Sequence, residues 1–145
     1  MKNIYLIIIL LLSLRVHGQK AEIFQKEGLA IRGFDPVSFF RQGGPLKGDE
    51  KFAYEWREAR WLFSSGANLE LFKTDPEKYA PQYGGYCAYG MAEGHKAPTE
   101  TDTWTIIDGR LYFNYNRKVK EIWLKNTKGF IDNADINWPQ LKNSE

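Results

Sequence analysis

Soft and imidazole side chains are scarce here: one cysteine, two methionines and two histidines among 145 residues. A single thiol, Cys87, excludes an internal disulfide and leaves no resolving partner for a dithiol redox cycle. Net charge of one sign is missing as well. Lys and Arg number 20 against 18 Asp and Glu, and the excess is the pair Lys2 and Arg15 near the N-terminus. Without a clustered basic face, no nucleic-acid partner is expected. Long apolar runs are also absent. Ile4 to Leu14, broken only by Ser13, is too short for the ~20 residues of a membrane-spanning helix. No phosphate-binding loop and no paired-carboxylate signature stands out, so no catalytic residue is nominated.

What precedes residue 19 reads as a secretory leader. Lys2 is a short basic start, the apolar run follows, and Val16-His17-Gly18 offers permissive residues where a signal peptidase cuts. Cleavage after Gly18 would export the chain to a periplasmic or extracellular compartment. No cysteine stands at that point to carry a lipid, so no stable membrane anchor is expected after cleavage.

Aromatics are plentiful, with five Trp, eight Tyr and nine Phe, enough to supply much of one core. The expected fold class is α+β, a small single domain with two antiparallel β-hairpins and several short helices. Residues 19–32 read as a lead-in with Leu29-Ala30-Ile31 as a short strand. Asp35-Pro36 reads as a helix start, with Asp as N-cap. Phe52 to Phe63 reads as a hairpin with its tip at Glu58-Ala59, which sets Trp56 opposite Trp61 and Tyr54 opposite Phe63. Ser64-Ser65 caps a helix over 66–73, and Asp75-Pro76 starts a short one. Asp108-Gly109 is a two-residue hairpin turn that sets Ile106 opposite Leu111 and Trp104 opposite Phe113. Asn116 caps a last helix with Val119, Ile122 and Trp123 on its apolar side. Beyond it, a turn through Phe130 and Ile131 leads to Trp138-Pro139 and a polar tail at 140–145.

Several of these motifs, in this order, carry a resemblance. Asp35-Pro36-Val37, then Trp61-Leu62-Phe63-Ser64-Ser65, Phe72 and Asp75-Pro76-Glu77-Lys78-Tyr79, resemble the pattern of YHS domains. The arrangement is similar to secreted, single-domain YHS-like proteins of bacteria, in which a GGYCAYG-type segment and a DG hairpin follow. It spans residues 33–139. The resemblance implies a non-enzymatic module associated with metal handling, copper above all. In related modules a cysteine commonly follows DPV, and the later aromatic motif often carries further Cys or His ligands. Here those positions read Ser38, Ser64 and Asn68, whose hydroxyl and amide groups are poor ligands for soft metals. The metal role does not carry over to them.

Soft ligands are concentrated instead at 83–98, YGGYCAYGMAEGHKAP. Cys87, Met91 and His95 follow one another at four-residue steps, and thiolate, thioether and imidazole suit Cu(I). On an unbroken helix Cys87 and His95 would stand about 12 Å apart, so a three-ligand site requires the helix to end around Gly90 to Gly94. Three readings stay open: a soft metal at Cys87, Met91 and His95; a small molecule or protein partner on a surface of Tyr83, Tyr86, Tyr89 and Tyr115; and thiol-dependent redox chemistry at Cys87. Buried packing of Cys87 and Met91 is the plain alternative to all three.

Overall fold

The computed structural model describes residues 21–144, so the leader expected at 1–18 lies outside the described residues. The chain is a small α+β domain, as its pattern of short alternating elements implies. In chain order it runs β1 (Gln25–Lys26), β2 (Leu29–Ala30), α1 (Ser38–Arg41), β3 (Asp49–Trp56), β4 (Ala59–Phe63), α2 (Gly66–Thr74), α3 (Pro76–Tyr79), α4 (Ala88–Ala92), β5 (Glu100–Ile107), β6 (Arg110–Asn114), α5 (Arg117–Leu124) and α6 (Thr127–Leu141). One sheet has the order β1-β2-β4-β3, with a parallel pairing between β2 and β4; β5 and β6 form a separate antiparallel pair.

Near its turn the DG hairpin has the expected register, with Ile106 opposite Leu111 and Thr105 opposite Tyr112. An irregularity between Glu100 and Thr105 shifts the pairing beyond, so the expected pairing of Trp104 with Phe113 is not made, although both side chains pack in the main core. The first hairpin differs. Its turn is Arg57-Glu58, both residues in the left-handed region, so Trp56 faces Ala59 and Tyr54 faces Trp61. That turn lacks the Gly or Asn that normally marks such a conformation. The shift from the expected pairing is two residues, and two residues is the period of a strand, so every side chain keeps its face. Trp56 and Trp61 still meet, with ring centroids 5.7 Å apart, and both pack on Phe72 of α2.

Two further expectations need correction. Leu29–Ala30 is the expected short strand, but the stretch before it is more than a lead-in: β1 pairs with β2, and Ile23, Ala30 and Ile31 lie in the main core. The region after α5 is not a turn but α6, the longest helix among the described residues, capped by Asn126, whose side chain accepts the Gly129 N–H. Phe130, Ile131, Ala134, Trp138 and Leu141 recur at helical spacing along it and face the second core cluster. Pro139 lies inside α6, two residues before its end, and cannot make the N–H bond to the Asp135 carbonyl that another residue there would make. The chain past residue 139 is docked too, as the contacts of Lys142 and Ser144 below make plain.

β6 divides the interior. Its side chains alternate, so Leu111 and Phe113 enter the main core with Phe39, Trp61, Phe63 and Phe72, while Tyr112 enters a second cluster with Tyr83, Ala88, Met91, Trp123 and Ala134. The segment containing Cys87 lies against this strand, and Cys87 pairs with Phe113 in an isolated parallel bridge.

Candidate functional site

The approach to Cys87 is a tight left-handed passage. Tyr83, Gly84 and Gly85 have φ of 56°, 62° and 87°. Glycine is obligatory at the middle position for a second reason: a Cβ on Gly84 would lie 1.8 Å from the Glu22 carbonyl oxygen. The close approach is fixed by a hydrogen bond from the Phe24 N–H to the Gly84 carbonyl (2.8 Å). Extended backbone at Tyr86 and Cys87 then leads into α4, with Cys87 as the N-cap.

Cys87 is only 2% exposed, and its sulfur turns back onto its own helix. It accepts N–H groups from Gly90 (3.4 Å) and Tyr115 (3.2 Å) and donates toward Asn114 Oδ1 at 3.6 Å. Burial pushes the thiol pKa up, and the N–H donors of Gly90, Tyr115 and Tyr89 offset this only in part. A buried, protonated sulfur is a poor nucleophile.

The helix does end where a ligand site would require. The Gly94 N–H donates to the Met91 carbonyl (3.1 Å) and the His95 N–H to the Gly90 carbonyl (3.0 Å), with Gly94 at φ 90°. This is the paired bonding of a Schellman turn. It folds His95 back over Gly90, where an added Cβ would stand 3.3 Å from His95 Nε2. The returning chain is then held against Cys87 by a bond from the Cys87 N–H to the Ala97 carbonyl (3.0 Å). Cys87 and His95 therefore both touch Gly90. Met91 goes elsewhere: it is fully buried among the side chains of the second cluster. Among the described residues no group of three or more His, Cys, Asp or Glu side chains is placed to hold a metal ion.

Asn114 completes the surroundings of the sulfur. Its Oδ1 also accepts the Tyr89 N–H (3.1 Å), and its own backbone is clamped by the Thr103 hydroxyl, which donates to the Asn114 carbonyl (3.0 Å) and accepts its N–H (2.8 Å). Yet Asn114 Nδ2 is buried without an acceptor among the described residues, as is Trp123 Nε1. A buried donor without a partner is rare enough to mark a place where something else could bind.

The four tyrosines do not share one surface. Tyr83 is buried, and its hydroxyl donates to Asp135 (2.9 Å); burial and that carboxylate push its pKa far up. Tyr86 is buried against Phe24, with its hydroxyl on the Ala21 carbonyl (2.6 Å), and burial alone raises it to about 12. Tyr89 packs edge-on against Phe130 of α6, and Tyr115 is half exposed. A groove of about 390 Å³ is lined by Phe24, Tyr86 and Pro98 with Ala21, Ile23 and Gln25, and Tyr86 is the only one of the four tyrosines on it.

A second polar knot lies outside this segment. Asp35 is fully buried; Oδ1 accepts the N–H of Val37 (2.8 Å) and Ser38 (3.3 Å), and Oδ2 accepts Ser64 N–H (2.8 Å), Ser64 Oγ (2.7 Å) and Asn68 Nδ2 (2.8 Å). Ser38, Ser64 and Asn68, three residues spread along the chain, thus converge on one carboxylate. Ser38 Oγ also donates to backbone carbonyls and accepts the Leu46 N–H (3.2 Å), while Asn68 Nδ2 reaches Gln42 Oε1 (3.0 Å). The knot is closed and satisfied, a joint rather than a ligand site. The sequence marked Asp35 only as a helix cap; that it also ties α2 to the first turn depends on a contact across 33 residues that no local pattern announces.

Comparison of the chain with protein-family models, with curated proteins and with solved structures finds no match.

Proposed function

We propose that the protein is an exported, non-enzymatic binding module of the YHS type whose ligand is a soft metal ion, Cu(I), taken between Cys87 Sγ and the His95 imidazole. The observation that carries this reading is the shared contact with Gly90: its N–H meets the sulfur, and the imidazole lies over its α-carbon. A d10 ion such as Cu(I) accepts two ligands, so the pair needs no third. Met91, sealed in the second cluster, is a wall of the site and not a ligand. Ionising a buried thiol is costly, so the ion must displace the proton, and apparent affinity rises with pH. Export rests on the leader pattern at 1–18, and the YHS assignment on the motif order from Asp35 to Tyr79.

The test is a titration of the reduced protein with Cu(I) against a competing chelator. Wild type should outcompete Cys87→Ser and His95→Ala by at least about tenfold. Equal affinity for wild type and Cys87→Ser removes the site. A second reading is favoured by the Phe24–Tyr86 groove, whose volume falls within the usual range for small-molecule sites. It predicts that an apolar probe binds wild type and is lost on Tyr86→Ala without any effect of Cys87→Ser.

A further inference from the structure

The residue after His95 ties this corner to both ends of the described chain. Lys96 is 3% exposed. Its ammonium donates to the carbonyls of Lys142 (2.9 Å), Ser144 (2.8 Å) and Ala21 (3.4 Å), and it sits 5.2 Å from the centre of the Tyr86 ring. Burying an ammonium is tolerated only when its donors are satisfied. The acceptors here include carbonyls that follow the end of α6, which have no helical partner of their own and lie at the negative end of the helix dipole. A second tie lies on the other side of His95. Asn137 Nδ2 of α6 donates to the carbonyls of Met91 (2.9 Å) and Ala92 (3.2 Å), at the C-terminal end of α4.

The stretch from Met91 to Lys96 is therefore fastened to α6 at two points, and between them only Glu93, Gly94 and His95 are exposed. We propose that Lys96 is a latch through which ligand binding at the Cys87–His95 corner and docking of the C-terminal end of α6 are one coupled equilibrium. This rests on the metal reading for the ligand, but not for the latch itself. While Lys96 is seated on the α6 terminus, the loop holds His95 over Gly90, the position from which it meets an ion at Cys87. When the terminus lifts, the loop loses that anchor and His95 loses its placement. Coupling of this kind is reciprocal: an ion that favours the seated state tightens the terminus by the same factor that undocking weakens the ion.

The experiment is hydrogen exchange on the full mature chain, read on peptides covering residues 138–144, without metal and with chelator-buffered Cu(I). The variants are Lys96→Met, Lys96→Arg and a chain ending at Leu141, each melted in parallel to verify that it folds. In the metal-free wild type the N–H groups of Lys142 and Ser144, bonded to Trp138 and Leu141, should be protected, and Lys96→Met should release them. Cu(I) should increase that protection in wild type. Lys96→Met and the shortened chain should each bind Cu(I) about tenfold more weakly, within the 5- to 150-fold range typical of such coupling, with Lys96→Arg recovering part of the loss. Unchanged exchange at 138–144 in metal-free Lys96→Met overturns the latch whatever the metal does. Released exchange with unchanged Cu(I) affinity overturns the coupling. Should wild type take no Cu(I), the coupling falls with the metal reading, while the metal-free exchange still decides the latch. If Lys96→Met does not fold, exchange of Lys96→Gln at 138–144 decides the latch, and the Cu(I) affinity of the chain ending at Leu141, which lacks Lys142 and Ser144, decides the coupling.

Discussion

Replacing Asp35 by alanine isolates what holds the first half of the fold together. The carboxylate accepts five donors, and their fates differ once it is gone. Ser38 N–H retains a bond to the Asp35 carbonyl (3.3 Å), Asn68 Nδ2 retains Gln42 Oε1, and the Ser64 hydroxyl is half-buried and can reach water. The N–H groups of Val37 and Ser64 have no other acceptor among the described residues. Two buried donors left without partners cost roughly 1–3 kcal/mol each, so Asp35→Ala should lose about 4 kcal/mol. That is a third or more of the stability of a typical domain. Urea unfolding followed by tryptophan fluorescence should show the midpoint falling by roughly 2 M, given slopes of about 1–3 kcal/mol/M for small proteins. Asp35→Asn keeps one acceptor oxygen and should lose about half as much. A loss below about 1 kcal/mol for Asp35→Ala would refute the view that this knot joins α1 to β4 and α2.

Gly84→Ala should be among the most damaging single methyl additions, because the new Cβ meets the Glu22 carbonyl at 1.8 Å and the N-terminal segment must lift away. Gly109→Ala, at a similar positive φ with nothing within 4 Å, should cost only about 1 kcal/mol; equal melting temperatures for the two variants would refute the packing argument. Alkaline stability should fall in a defined window. Tyr86 ionises near the ordinary tyrosine value of 10.0 when unfolded and at about 12 when folded. Its stabilising effect is therefore complete below pH 10 and declines as pH rises toward 12, by about 2–3 kcal/mol at 1.36 kcal/mol per unit. Urea unfolding of Tyr86→Phe across that range should show a shallower decline; parallel curves would count against it. Finally, Cys87 of the metal-free native protein should react with a maleimide at pH 7.5 far more slowly than in urea, because its thiol is buried and its pKa raised. Equal rates would mean the sulfur is open.

Local chemistry made much of the fold legible. The DG turn fixed the register of β5 and β6 beside it, and Ser65 and Asn116 cap α2 and α5 through the N–H of Asn68 and Val119 as their spacing implies. Errors arose where local preference and tertiary packing disagree. Arg57-Glu58 adopts a left-handed turn that neither residue favours, because aromatic contacts across β3, β4 and α2 favour that register. Residues 130–139 read as a turn leading to Trp138-Pro139, but the apolar spacing of Phe130 to Leu141 is helical, and its packing outweighs the bond and the ring clash that Pro139 costs. β2 was legible as Leu29-Ala30-Ile31, but β1 was missed because a two-residue strand carries no periodicity. In the candidate site, the return at Gly94 was visible as a glycine, whereas the burial of Cys87 and Met91 could not be read from their spacing. Thr103 had no signal at all: one more threonine in a strand.

The alternation on β6 explains why the candidate site lies where it does. Leu111 and Phe113 fill one core, and the opposite parity, Tyr112 and Asn114, faces the other side of the strand. An apolar residue at 114 would continue that second cluster without polar cost. Asparagine there supplies an acceptor for the Tyr89 N–H and the Cys87 thiol, but it also buries an amide donor that nothing meets, at a cost of roughly 1–3 kcal/mol. A leucine could not accept the Tyr89 N–H, and an aspartate would accept it without an orphaned donor, though only by burying a charge. The carboxamide is thus the neutral way to hold both groups, and its amide nitrogen is left without an acceptor among the described residues. If a ligand enters beside the sulfur, that N–H can recover its cost there, which is why the burial of Cys87 and the incompleteness of Asn114 belong to one argument.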